Sequence, residues 1–148
     1  MPAIWADLGM TGVWQFVDNL TRYAVASCRA PKSIKVGEDI TIKVKWGSPS
    51  TTGVCRWQLE YLFREVDDDV SAGGTALGFE DDAPSAQANG LTITTFTVPH
   101  THGGACCDEL LLLRLARIGG SDTLGNVANL SGITFIYICD KFFSSYVL

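Results

Sequence analysis

Residues 39–63, DITIKVKWGSPSTTGVCRWQLEYLF, decide the fold. In the first half, Ile40, Ile42, Val44 and Trp46 alternate with Thr41, Lys43 and Lys45. In the second, Cys55, Trp57, Leu59, Tyr61 and Phe63 alternate with Arg56, Gln58 and Glu60. Successive side chains of a strand point to opposite faces, so this alternation marks two strands with one face in a core and the other in water. The connector GSPSTTG is rich in turn formers and suits a hairpin loop of moderate length.

Working outward, residues 12–17 and 23–28 read as strands around an Asp18-Asn19 turn, and residues 75–79 and 91–98 as shorter ones around a loop at 81–90. In 91–98 the apolar phase passes from Leu91 and Ile93 to Phe96 and Val98, which predicts a β-bulge near Thr94 and Thr95. Two final runs, 110–117 and 133–139, are apolar on both faces and are expected to close the chain as a last hairpin. Strands at roughly ten-residue spacing, with no helix-period segment, predict an all-β protein: one antiparallel β-sandwich, jelly-roll-like. At 148 residues the chain is long enough for one domain with a substantial core. The expected division is an N-terminal arm and first strand over 1–20 and the sandwich over 21–148.

The doubly apolar final runs carry a further expectation. Leu111, Leu113 and Leu115, with Ile133, Phe135 and Tyr137, suffice for a sandwich core. The opposite phase of Leu110, Leu112, Arg114, Ile136 and Ile138 then needs another cover. An apolar patch of that kind on a monomer is an aggregation risk that burial between subunits removes, so self-association is expected through these five residues.

A net charge of −5, with no basic stripe, argues against binding a phosphate backbone. No apolar run approaches the length of a membrane-spanning helix, and the first ten residues lack the basic and apolar regions of a secretory signal. Synthesis in a cytoplasm is the expectation, and five cysteines give no disulfide framework. His100, His102, Cys106 and Cys107 form the single cluster of zinc-type ligands, but adjacent cysteines rarely serve one ion. An exposed Gly-containing loop is the simpler reading. The acidic runs at 67–69 and 80–82 fit no calcium-loop spacing and read as solvated connectors. No nucleophile elbow, zinc-protease motif or phosphate loop is present, so a non-enzyme without cofactor is expected.

The order of segments also carries a resemblance. Val54, Trp57, Leu59, Glu60 and Tyr61, then Leu113, Arg114, Leu115 and Arg117, then Asp122-Thr123-Leu124 and an apolar closing strand, resemble a trimeric β-sandwich domain of tailed-bacteriophage structural proteins. The resemblance spans residues 23–137 and rests on short apolar motifs. It implies a capsid decoration (cement) protein: a homotrimer on the outside of a phage head, contacting the major capsid protein, in a virion assembled in a bacterial cytoplasm. Ile4, Trp5 and Trp14 would be the shell contacts. The alternative implied role is a receptor- or carbohydrate-binding tail-fibre head, using Trp5, Trp14 and the 67–69 loop. No shaft-like segment precedes the domain, which favours the cement reading.

Overall fold

The computed structural model describes residues 1–8, 11–29, 35, 37–65, 67–100 and 109–138. Nine strands build it: β1 (Ile4–Leu8), β2 (Thr11–Phe16), β3 (Thr21–Arg29), β4 (Ile40–Gly47), β5 (Cys55–Arg64), β6 (Thr75–Asp82), β7 (Thr92–Val98), β8 (Leu110–Ile118) and β9 (Ala128–Ile136). They form a five-stranded sheet, β1-β2-β9-β4-β7, and a four-stranded sheet, β3-β8-β5-β6. Every strand pairing is antiparallel. The pairs β5–β6, β4–β7, β3–β8 and β2–β9 nest like a long hairpin wrapped on itself. That is the jelly-roll arrangement, as expected.

The core lies where the alternation put it. Ile40, Ile42, Val44 and Trp46 of β4 face Cys55, Trp57, Leu59 and Phe63 of β5, with Leu111, Leu113 and Leu115 of β8 beside them. Trp57 sits edge-on to both Phe16 and Trp46, at centroid distances of 5.1 and 5.8 Å. Edge-to-face aromatic pairs add about 0.5–1.5 kcal/mol beyond the area they bury.

Several expectations need correction. The β4–β5 and β8–β9 connections are not hairpins, because each carries the chain from one sheet to the other. The expected N-terminal arm is tied into the sheets through its described residues. It supplies β1 and the start of β2, while Met1 and Ala3 hydrogen-bond to Tyr23 of β3. β7 has no bulge: its register with β4 is unbroken, and Thr94 faces the core because its hydroxyl accepts the Trp46 indole N–H at 2.9 Å. The irregularity lies in β9, where the register shift between Lys45 and Trp46 leaves Ser131 without a cross-strand partner on β4. β9 also begins earlier than expected, at Ala128.

Arg117 closes one end of the sandwich. It lies on the inward phase of β8, fully buried, where the run of Leu111, Leu113 and Leu115 predicts a leucine. Its five N–H groups are all used: Nε and Nη2 donate to the Asp122 carboxylate at 2.7 and 3.1 Å, Nη1 to the Phe16 and Asn126 carbonyls at 2.9 and 2.6 Å, and Nη2 also to Leu124 O at 2.6 Å. Thr123 and Leu124 then hydrogen-bond to Val54 of the β4–β5 connector. The connection between β8 and β9 is thereby pinned across the end of the core.

Candidate functional site

The five-stranded sheet has one strand more than its partner, and the excess lies at its β1 edge, where β1 and β2 form a hairpin. In the ladder Trp5 lies opposite Trp14, and Trp14 opposite the core residue Leu130, so both tryptophans are on the inward face. Among the described residues no strand of the other sheet covers them. Trp5 is 57% and Trp14 41% exposed, and their rings meet edge-on at 5.3 Å. Trp5 lies flat over Gly12, where any Cβ would fall 2.0 Å from its ring. Glycine at 12 is thus what lets the indole settle there. The pair walls an apolar groove of about 330 Å³ along the sandwich flank, with Ala24 and Ala26 of β3 opposite and Ile133 and Phe135 of β9 beyond. Ile4, one position from Trp5 and so on the other face of β1, is 49% exposed.

A second surface is the outer face of the four-stranded sheet. Leu110 and Leu112 are half-buried there and Arg114 exposed, on the phase expected to be outward. Arg114 pairs with Glu60 of β5 at 2.5 Å and lies 5.7 Å from the centre of the Tyr23 ring. The Glu60 hydrogen bond holds the Arg114 guanidinium above its ordinary pKa. Gln58 and Ala116 flank the pair on one side. On the other a groove of about 460 Å³ runs between Val25–Ser27 and the β5–β6 connector at 70–74, floored by Leu62 and Leu112. Further along, Arg56 grips Asp81 at 2.6 and 2.8 Å and lies 5.4 Å from the Phe79 ring centre. That hydrogen bond lowers the Asp81 carboxyl below its usual range.

The five residues expected to share one interface are therefore divided. Leu110, Leu112 and Arg114 lie on the outer face of the four-stranded sheet. Ile136, 46% exposed, ends β9 in the other sheet, and Ile138, 53% exposed, follows it. The cause is the crossover between β8 and β9, which places consecutive strands in opposite layers. The alternative platform is divided too. The tryptophans open onto the inner side of β3, whereas the connector holding residues 67–69 leads into the groove on its outer side.

His100 is not an exposed loop histidine. It is 5% exposed, packed 5.2 Å from the Phe63 ring centre, with Nε2 at 3.6 Å from the Glu109 carboxylate. Neither ring nitrogen has a hydrogen-bond partner among the described residues. His102, Cys106 and Cys107 lie outside the described residues, among which no three His, Cys, Asp or Glu side chains are grouped to hold a metal. Sequence reasoning missed Tyr23, Gln58 and the Arg56–Asp81–Phe79 group, because only the cross-strand register brings these residues together.

No protein-family model matches the chain, and no curated protein matches it by sequence. Among solved structures it is similar to a carbohydrate-binding module in complex with beta-1,4-galactotriose, at a TM-score of 0.42 and 7% identity, over 86% of this chain and 71% of the other. It is also similar to an insecticidal delta-endotoxin from Bacillus Thuringiensis, at a TM-score of 0.50 and 17% identity, over 85% of this chain and 19% of the toxin. The chain thus spans about a fifth of the toxin's length. At that identity the likeness to the toxin is one of fold, and the fold is an antiparallel β-sandwich.

Proposed function

We propose that this chain is a non-enzymatic structural protein of a tailed-phage particle, a cement protein that docks on the outside of the head through its N-terminal hairpin. The observation that carries the reading is the Trp5–Trp14 pair. Two neighbouring tryptophans, held on the inward face of an overhanging hairpin and both largely open to solvent, form a ready-made hot spot for a partner surface. Of the residues in the phage-like motifs, Trp57, Leu113 and Leu115 lie in the sandwich core and Arg117 closes its end. Association as a homotrimer belongs to the proposal, with Leu110, Leu112 and Arg114 as the subunit face. Several such contacts on one assembly would multiply weak affinities into firm attachment. Cosedimentation with expanded heads lacking the protein tests this. Wild type should saturate the heads and Trp5→Ser/Trp14→Ser should not bind; heads that take up both equally refute the docking surface.

The second reading, a carbohydrate-binding head, is favoured by one observation: Tyr23, Gln58, Glu60 and Arg114 present an aromatic ring beside planar hydrogen-bonding groups on one open sheet face. A glycan array separates the two. Specific sugar binding that is lost in Arg114→Ala, without head binding, would replace the cement reading.

A further inference from the structure

We propose that the edge of β3 at Val25 and Ser27 is a strand-addition site that takes one extended polypeptide segment of a partner protein. β3 is laddered to β8 on one side only. On the other, Tyr23 donates its N–H to Met1 O at 3.0 Å and accepts from the Ala3 N–H at 2.8 Å, as Pro2 bridges to it in parallel. Backbone groups of a strand alternate in direction with period two, so the N–H and C=O of Val25 and Ser27 point the same way as those of Tyr23. Among the described residues nothing takes them, because after Ala3 the chain leaves for the other sheet as β1. Among the described residues a strand pairing thus begins on this edge and is not continued past Tyr23.

The chemistry of the edge agrees. Exposed edges are ordinarily blunted by charge, proline or a bulge. The edge strand β6 follows that rule, with a register irregularity against β5 and the acidic end Glu80-Asp81-Asp82. The middle of β3 reads Ala24-Val25-Ala26-Ser27-Cys28, with no charge and no proline, and Val25 is 71% exposed. Beside this edge lies the flank groove, where the short side chains of Ala24 and Ala26 leave about 330 Å³ open against Trp5, Trp14 and Phe135. An added strand would turn every second side chain into that space.

The occupant is a single strand and not a second copy joined edge to edge. The roughly 330 Å³ beside the edge has room for the alternate side chains of one extended segment. The fit is to a segment carrying apolar side chains at alternate positions on the groove side and no charge there. This inference rests on reading the Trp5–Trp14 flank as a contact surface, and specifies the backbone pairing by which the contact is made.

The test is selection of a displayed random nonapeptide library against the full chain. Enriched peptides should alternate apolar and polar residues, raise amide-exchange protection at Val25 and Ser27, and lose at least tenfold in affinity for Val25→Pro, which removes one edge N–H. Ala26→Arg serves as a second variant that does not depend on the strand tolerating proline, placing charge in the groove at an exposed position while leaving the backbone intact. No enrichment, equal affinity for a folded Ala26→Arg variant, or protection confined to the Glu60–Arg114 face overturns the inference. The outcomes separate from those of head binding: peptides that bind here while heads are ignored retain the strand site and refute the phage role, and the converse retains the role and refutes the strand site.

Discussion

Replacing Arg117 by methionine keeps the length of the side chain and removes every hydrogen bond that the guanidinium makes. The Asp122 side chain it pairs with is 0% exposed, like that of Arg117 itself. Breaking a buried pair by deleting one partner leaves an uncompensated charge and costs about 3–5 kcal/mol. The Phe16, Leu124 and Asn126 carbonyls also lose their donor. Each buried orphan carries a penalty of about 1–3 kcal/mol. These terms overlap, since water entering the end of the sandwich would satisfy several groups together. A loss of about 4 kcal/mol is expected. For a chain of this size that lowers Tm by on the order of 10 °C. Urea unfolding followed by the fluorescence of the core residues Trp46 and Trp57 measures it. Arg117→Met/Asp122→Leu removes both charges and should recover at least about 1 kcal/mol relative to Arg117→Met alone. A single variant within about 1 kcal/mol of wild type, or a double variant no more stable than the single, would refute the clamp.

Burial pushes the Cys55 thiol well above its ordinary pKa, with nearby Arg117 partly opposing and Asp122 adding to the rise. A raised folded-state value means that the stability is intact below the unfolded thiol's pKa of about 8.5 and falls as pH rises beyond it, by about 1.4 kcal/mol per unit. Cys55→Ala should lack that component, and urea midpoints from pH 7 to 10 that run parallel for the two proteins would contradict it. Thr94→Val orphans the buried Trp46 indole N–H and should cost about 1–3 kcal/mol in the same unfolding assay. Gly12→Val must displace Trp5 from its seat. The loss of the Trp5–Trp14 edge contact should change stability by only about 0.5–1.5 kcal/mol, while shifting tryptophan emission and abolishing head binding.

Much of the fold was legible because β4 and β5 alternate in sequence and bury the phase that pattern indicated, while β8, apolar on both faces, buries Leu111, Leu113 and Leu115. Failures came where hydrophobicity and burial part company. Thr94 is polar yet inward because Trp46 satisfies it, so the phase of β7 looked broken when it was not. Arg117 is inward for the same kind of reason. In β9, Ser131 and Gly132 interrupt the pattern at an actual bulge, which hid the buried Ala128–Leu130 half of the strand. Connector composition showed where the chain turns but not which sheet the next strand joins. Hence Leu112 and Ile136 were assigned to one patch although they lie on opposite layers. His100 followed a similar course: its Gly-rich neighbourhood suggested exposure, while Phe63 and Glu109 bury it. The exposed tryptophan pair was visible as residues, but not the overhang that leaves it uncovered.

If the proposed role holds, this chain is a component of phage particles, and quantitative mass spectrometry of such purified particles tests that most directly. A cement protein should be present at a fixed ratio to the major capsid protein, in copy numbers divisible by three. Absence from particles, or a handful of copies located at the tail, would contradict it.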